Sequence, residues 1–223
     1  ELDVQNSLDQ LLRGIPSGRI AVTTFASNIA RLMTIASVAE RNDRHVVLVG
    51  RSLHRMTQAA KKSGYLNDLP PFLDEKDAGH IPRDKILLLC TGSQGEPRGA
   101  MTRIARGEHS HVELSQGDTV IFSSKVIPGN EKTLYALHNQ LTESGVNVIT
   151  EADEFVHVSG HPARDELTDM YRIVKPEIAI PVHGEARHIR AHCELARSLG
   201  VKQAIEITNG NILKLAPGVA GII

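Results

Sequence analysis

Two histidines lie in short turns beside glycine within one stretch of the sequence, Glu151 to Glu185. His161 ends the run Val158–His161, and His183 precedes Gly184-Glu185. An imidazole can bind a metal ion, transfer a proton, or donate a hydrogen bond to a phosphate oxygen. A lone histidine of this kind more often caps a strand or hydrogen-bonds a turn. Two such turns, 22 residues apart, favour a functional site over a structural role.

The elements predicted around these histidines place both of them at one edge of a sheet. The runs Phe155–Val158 and Ile178–Val182 predict neighbouring parallel strands, and Arg164–Val174 between them predicts a helix. Each strand would end at one histidine turn. Because ligands of open α/β sheets bind at the carboxyl ends of the strands, we expect His161 and His183 to converge on one small volume.

Three more histidines lie nearby in the sequence. His157 precedes the His161 turn, and we expect it to orient or support that turn. His188 and His192 are four residues apart on a predicted helix, which is a spacing compatible with zinc. No third ligand is evident and the segment is polar, so a solvated helix face is the favoured interpretation.

Short β-rich runs alternate with helix-like segments before residue 150, which predicts a doubly wound, mostly parallel α/β sheet. The most hydrophobic run, Ile86–Cys90, should lie near the sheet centre. The segment Asn67–Asp84, with its prolines and charges, should be irregular. The predicted strands are Ile20–Phe25, His45–Val49, Ile86–Cys90, Thr119–Phe122 and Val146–Ile149.

A domain boundary is predicted at the acidic run Glu151–Glu154, which gives one domain over residues 1–150 and a second over residues 151–223. The second domain should end in a hairpin. Asn209-Gly210 separates the runs Ala204–Thr208 and Ile212–Leu215, and this dipeptide is a strong hairpin signal.

Polar residues follow four of the predicted strands and should lie along one rim of the sheet. The helices that follow begin with unpaired backbone N–H groups, which suit a phosphate. Ser and Asn are also ordinary helix caps, so each cluster alone is weak. The loop Thr91–Pro97 goes further, because its two glycines would let a ligand approach the backbone, although it is not a P-loop. Arg98 is a further basic candidate. The predicted phosphate-binding residues of the rim are Ser27, Asn28, Arg51, Ser93, Gln94, Gly95, Glu96, Ser124 and Lys125.

The composition restricts the class of protein. Hydrophobic residues make up 41% of the 223 residues, which is enough for a substantial core. The net charge of −1 gives no global attraction to nucleic acid or membrane, so a polyanion must be bound by a local patch. Cys90 and Cys193 are expected to be free thiols in a reducing cytosol. The start of the chain predicts an amphipathic helix rather than a signal peptide, so we expect a cytoplasmic protein that does not bind membranes.

Four motifs in this order resemble the ribonuclease J group of β-CASP metallo-β-lactamase-fold nucleases, and the resemblance covers essentially the whole chain. It implies a β-CASP domain over residues 1–150, followed by the C-terminal part of a lactamase-like domain. It also implies an RNA-processing, zinc-dependent nuclease that acts as a 5′-to-3′ exonuclease, an endonuclease or both. The complete protein would be a homo-oligomer that binds RNA, including 5′-monophosphorylated single strands. The motifs are Phe25–Asn28, Thr91–Pro97, His157–His161 and Pro181–Glu185.

The resemblance assigns roles to individual residues. His161 matches the family's motif B histidine, which contacts the scissile phosphate. His183 matches the motif C histidine, a zinc ligand. Ser159, Gly160 and His161 would belong to the pocket for the 5′ phosphate of RNA. A complete active site would hold two zinc ions.

The sequence departs from the family pattern at its main zinc motif. Neither His-x-His-x-Asp-His nor the acidic motif A occurs in these residues, and both would precede residue 1 in a complete protein. The family's extra C-terminal domain is also missing. One histidine cannot hold a catalytic zinc, so we predict that this chain alone retains no zinc and is inactive or nearly so.

Two alternatives come from other functional classes. The chain could be a non-catalytic phosphate- or nucleic-acid-binding α/β module. A redox or dehydrogenase domain is disfavoured, because the sequence has no dinucleotide fingerprint and no paired cysteines.

Overall fold

A computed structural model describes residues 1–223. The residues form two compact units, Glu1–Val158 and Ser159–Ile223. The domain boundary after residue 150 lies within the first unit and stays a prediction. None of the helices is both long and apolar enough to cross a membrane.

The first unit is built on a six-stranded sheet in which every neighbouring pair of strands is parallel. The order of strands is β3-β2-β4-β1-β5-β6, so the fully buried β4 lies near the centre, as predicted. The short β3 was missed, because two residues carry no recognisable periodicity. The strands are β1 (Ile20–Thr23), β2 (His45–Val49), β3 (Leu73–Asp74), β4 (Ile86–Cys90), β5 (Thr119–Phe122) and β6 (Asn147–Ile149).

Helices cover both faces of this sheet. Successive residues of β1 enter two different core clusters, because the side chains of a strand alternate between its faces. One cluster includes α1, α2 and Leu53, and the other includes α4 and α5. This confirms the predicted doubly wound α/β fold. The helices are α1 (Leu2–Arg13), α2 (Ile29–Arg41), α3 (Arg51–Lys62), α4 (Ala100–Ala105) and α5 (Glu131–Glu143), with 3₁₀ turns at Glu75–His80 and Arg83–Lys85.

The second unit contains two helices and two small two-stranded sheets. Strands β7 and β8 are parallel, and β9 and β10 form an antiparallel pair near the end of the chain. The bounds are α6 (Arg164–Val174), β7 (Ile178–Ala179), α7 (Ala186–Ser198), β8 (Gln203–Ala204), β9 (Leu213–Lys214) and β10 (Gly221–Ile222).

The prediction of two long strands at the histidine turns was wrong. Phe155–Val158 forms no strand, because the carbonyl of Val156 accepts hydrogen bonds from the side chains of Arg31 and Ser123 instead of a neighbouring strand. The run Ile178–Val182 contributes only two residues to β7. Pro181 follows closely and has no N–H to donate to a strand ladder.

The predicted terminal hairpin was wrong in its pairing. The turn at Asn209-Gly210 does form, since the Asn211 N–H donates to the Thr208 carbonyl at 3.1 Å. The residues before this turn do not pair with those after it. Gln203–Ala204 pairs instead with β7, and the terminal antiparallel pair is Leu213–Lys214 with Gly221–Ile222.

Candidate nucleic-acid site

His161 and His183 lie side by side in the second unit. Their ring centroids are 6.1 Å apart and the ring planes are inclined by 16°, so the two imidazoles stack. Both side chains are exposed, and both line one cavity of about 250 Å³. The structure therefore brings together the two histidines that the sequence singled out, although the predicted strands do not deliver them.

Each histidine is positioned by the start of a helix. The backbone N–H of His161 donates to Ser159 Oγ at 3.1 Å. Helix α6 begins three residues later, and there Glu166 Oε2 accepts from the backbone N–H of Ala163 at 2.7 Å. His183 adopts a left-handed backbone conformation with φ of 61°, which is uncommon outside glycine and recurs at functional sites. The following residues lead directly into α7.

The cavity has two further histidines in its wall, His188 and His192. Nε2 of His192 lies 3.0 Å from the hydroxyl of Tyr171 on α6, and this residue is half-buried. A solvated helix face was thus the wrong interpretation for His192, because Tyr171 packs against it. His188 is exposed, and its Nδ1 accepts a hydrogen bond from the Glu185 N–H at 3.2 Å. That bond requires neutral His188 to carry its proton on Nε2.

The residues of this chain do not fit a zinc ion by themselves. No three His, Cys, Asp or Glu residues are grouped as metal ligands, whereas a catalytic zinc takes three protein ligands. His188 cannot ligate through Nδ1 while that atom accepts from the backbone.

The predicted phosphate rim divides into an exposed and a buried group. Ser27, Arg51, Glu96 and Lys125 are exposed, and Asn28 is half-buried. Asn28 also caps α2, since its Oδ1 accepts from the Arg31 N–H at 3.1 Å. The buried members are Ser93, Gln94, Gly95 and Ser124.

Gln94 uses its side chain inside the protein rather than presenting it to a ligand. The residue is 5% exposed. Its Nε2 donates to the Lys125 carbonyl at 2.8 Å, and its Oε1 accepts from the Ile127 N–H at 2.9 Å. Ser124 Oγ donates to the Ser93 carbonyl at 3.3 Å. In this structure these side chains join the loop after β4 to the loop after β5.

The two glycines of the loop Thr91–Pro97 lie close to neighbouring helices. Both have positive φ, +105° for Gly92 and +72° for Gly95. A Cβ on Gly92 would lie 3.2 Å from Met101 of α4, and one on Gly95 would lie 3.1 Å from the backbone of Leu134 in α5. Glycine therefore allows the close approach of helices at these positions.

Sequence analysis missed the fully buried Arg31. Its Nε donates to Glu1 Oε1 at 2.7 Å, and its Nη1 donates to Ser123 Oγ at 2.6 Å and to the Val156 carbonyl at 3.0 Å. A basic residue in the first turn of an amphipathic helix gives no signal that it is buried. Burial and the nearby Arg31 guanidinium hold the pKa of His157 below its usual value, which keeps this imidazole neutral. Its Nδ1 is buried without a partner.

Neither cysteine forms a disulfide, as predicted. Cys90 and Cys193 are both free and buried. Burial raises the pKa of each thiol, which disfavours the reactive thiolate.

Comparisons with known proteins cover most of the chain. The profile of the ribonuclease J β-CASP domain matches residues 17–141, and that of the Zn-dependent metallo-hydrolase RNA specificity domain matches residues 145–207. A ribonuclease J of Sinorhizobium meliloti is 46% identical over 223 residues, which is 100% of this chain and 39% of that protein.

Ribonucleases J of two other bacteria match this chain at lower identity. The ribonuclease J of Mycolicibacterium smegmatis is 41% identical over 100% of this chain and 40% of its own length. That of Helicobacter pylori is 35% identical over 90% of this chain and 30% of its own length. The chain thus spans two fifths or less of the length of these relatives.

Proposed function

Because the chain belongs to the ribonuclease J family of β-CASP nucleases, we propose that it is the RNA-binding, substrate-gripping part of a zinc-dependent ribonuclease. The observation that carries this proposal is the stacking of His161 and His183 in the wall of one cavity. The complete protein would cut RNA, including 5′-monophosphorylated single strands, as a 5′-to-3′ exonuclease, an endonuclease or both. A cytoplasmic location and assembly into a homo-oligomer are part of the same proposal.

His161 is proposed to donate a hydrogen bond to the phosphate at the cleavage site. Its ring is exposed, and the hydrogen bond from its backbone N–H to Ser159 Oγ fixes the conformation of the turn. Hydrogen bonds that involve a charged group are worth about 1.5–3 kcal/mol, so one such contact changes affinity by roughly tenfold or more. Ser159 and Gly160 form the rest of this phosphate-binding turn.

His188 adds a second donor to the same cavity. With Nδ1 accepting from the Glu185 N–H, the remaining ring proton of the neutral imidazole is on Nε2 and free to bind an anion. The cavity wall therefore combines imidazole donors with few competing carboxylates, since none of its lining residues is Asp or Glu. This composition suits a phosphate.

His183 is proposed to supply one zinc ligand in the complete protein. The other zinc ligands would come from regions of the complete protein that correspond to the parts of the relatives outside the matched segment. We therefore propose that these 223 residues alone hold no catalytic zinc and do not turn over RNA.

The basic and N-cap residues of the rim in the first unit are proposed to contact the RNA backbone. Arg51 and Lys125 supply positive charge, and Ser27 and Asn28 supply polar groups at the start of α2. The buried side chain of Gln94 supports this surface, because it hydrogen-bonds the loop that carries Lys125. Glu96, whose Oε2 accepts from the Gln94 N–H at 2.9 Å, has the same supporting role.

A non-catalytic phosphate- or nucleic-acid-binding module is the second candidate function. It is favoured by the lack of a complete ligand set for a metal in this chain. Zinc titration of the intact protein separates the two proposals. A nuclease should bind zinc stoichiometrically and lose part of that binding in His183→Asn, whereas a binding module should hold RNA without metal.

The direct test measures binding of 3′-labelled, 5′-monophosphorylated RNA to the chain by fluorescence anisotropy. We expect His161→Ala to weaken binding roughly tenfold. His111→Ala, which removes an exposed histidine of the first unit, should leave affinity unchanged. Equal affinity of wild type and His161→Ala would contradict the proposed phosphate contact.

A parallel assay tests the proposed inactivity of the chain. The same RNA is incubated with the 223-residue chain and added zinc or manganese, and products are separated on a gel. We expect no turnover. Turnover that disappears in His161→Ala would show that this chain carries a working active site.

A further inference from the structure

Helix α3 carries exposed cations that form no ion pairs. Its cations are Arg51, Arg55, Lys61 and Lys62, all exposed. The sequence has no Asp or Glu between Asp43 and Asp68. None of the ion pairs in the structure includes any of these four side chains. The helix thus presents four exposed positive charges outside any ion pair, in a chain whose net charge is −1.

Three of these cations form a row along one side of the helix. At about 100° per residue, Arg51, Arg55 and Lys62 point in nearly the same direction. The row extends about 16 Å along the helix axis, at about 1.5 Å per residue. Lys61 lies at its flank, with Nζ 5.8 Å from the ring centroid of Phe72. Their axial spacings are about 6 Å and about 10 Å, so the row can follow the phosphates of a flexible single strand.

An aromatic ring lies just beyond the row. Tyr65 is 56% exposed, yet its backbone is fixed. Its N–H donates to the Ala60 carbonyl at 2.9 Å, Gly64 before it has φ of +88°, and Leu66 after it is buried. This arrangement ends the helix and holds the phenol ring in solvent, where a base could stack on it.

We propose that α3 and Tyr65 form a sequence-independent contact surface for single-stranded RNA. Arg51, Arg55 and Lys62 neutralise phosphates along one strand, and Tyr65 stacks on a base. The proposal rests on the proposed function, since it requires that the chain binds RNA, and it adds a surface that contains none of the cavity histidines.

An anionic membrane is a poorer partner for this helix. A helix that lies on a membrane inserts an apolar face into the lipid. The apolar side of α3 is already used, because Leu53, Thr57 and Ala60 are buried. The exposed side has charged and polar residues, which suit a phosphate backbone but have nothing to insert.

The test compares charge-removing variants in RNA binding. The 223-residue chain is titrated with a 3′-labelled 16-nucleotide oligouridylate carrying a 5′ monophosphate, at several salt concentrations. We expect Arg55→Gln/Lys62→Gln to weaken binding about tenfold in 50 mM salt. The slope of log K against log salt should become less negative by about 1.4, since each phosphate contact on a single strand contributes about 0.7.

The matched control is Lys76→Gln/Lys132→Gln, which removes the same charge from exposed positions elsewhere in the first unit. It should leave the slope unchanged. Tyr65→Ala should weaken binding between about 5- and 150-fold without changing the slope, and Tyr65→Phe should restore it. Circular dichroism of each variant verifies that the fold is intact.

The outcomes separate this inference from the proposed function. If Arg55→Gln/Lys62→Gln binds like wild type while His161→Ala binds weakly, the α3 surface is refuted and the proposed function stands. If the control weakens binding equally, the effect is overall charge and the inference fails. If wild type binds no oligouridylate, both fail. If Arg55→Gln/Lys62→Gln loses binding to phosphatidylserine vesicles but keeps its RNA affinity, the partner of the α3 surface is an anionic membrane rather than RNA.

Discussion

Replacing Gln94 with alanine should lower the stability of the first unit and have only a modest effect on RNA affinity. The side chain is 5% exposed and makes two short hydrogen bonds, to the Lys125 carbonyl at 2.8 Å and from the Ile127 N–H at 2.9 Å. Each lost bond that leaves a partly buried partner unsatisfied costs about 1–2 kcal/mol. The expected loss in free energy of unfolding is therefore about 2–4 kcal/mol.

Urea denaturation followed by circular dichroism measures this loss, and RNA affinity is measured on the same sample. In a thermal melt, a stability change of this size should lower Tm by about 4–16 °C in a chain of this length. The control Gln10→Ala removes an exposed glutamine of α1 and should change stability by less than about 0.5 kcal/mol.

The result would distinguish support from direct contact. If Gln94 positions the Lys125 loop, stability falls and RNA affinity falls only modestly. If Gln94→Ala retains the wild-type denaturation midpoint but loses RNA binding, Gln94 touches the ligand and the interpretation of its hydrogen bonds is refuted.

Three further substitutions have expected outcomes. Arg31→Met should cost about 3–5 kcal/mol in urea denaturation, because it leaves the buried polar partners of Arg31 unsatisfied; a loss under 1 kcal/mol would contradict this role. Burial lowers the pKa of His138, so its contribution to stability is present above about pH 6.5 and declines as pH falls below that value; His138→Gln should flatten the dependence of the urea midpoint between pH 7.5 and 5.5. Gly95→Ala should cost about 2–4 kcal/mol and Gly107→Ala about 1, because both have positive φ but only Gly95 packs against a helix; equal losses in Tm would refute the packing argument.

The strands of the first unit were predictable because their signal is local. Ile86–Cys90, His45–Val49 and Thr119–Phe122 are short hydrophobic runs, and all three strands have the predicted bounds. Parallel strands buried on both faces produce such runs whatever lies around them. The doubly wound fold follows from their alternation with helices.

The failures arose where a distant residue decides the local structure. Phe155–Val158 has the composition of a strand, but Arg31, 125 residues earlier than Val156, hydrogen-bonds the carbonyl that a strand would need. The Asn209-Gly210 turn forms as its sequence dictates. Its preceding residues nevertheless pair with β7, because Ala179 offers a parallel partner that no turn signal can reveal.

The candidate site was only partly predictable for the same reason. Histidines beside glycines mark His161 and His183, and their proximity in the structure agrees with that expectation. A polar residue after a strand can face solvent or a neighbouring loop, and the sequence does not distinguish Lys125 from Gln94. The Tyr171 partner of His192 lies on another helix, so spacing alone suggested a solvated face.

The left-handed backbone at His183 decides how this residue should be replaced. The direction of its imidazole is set by the backbone conformation, with φ of 61°, because the ring is exposed and not held by packing. Alanine would remove the imidazole and also let the turn relax toward negative φ, so two effects would be confounded. Asparagine tolerates the left-handed region and keeps a polar side chain, so His183→Asn changes the chemistry while leaving the direction of the main chain in place.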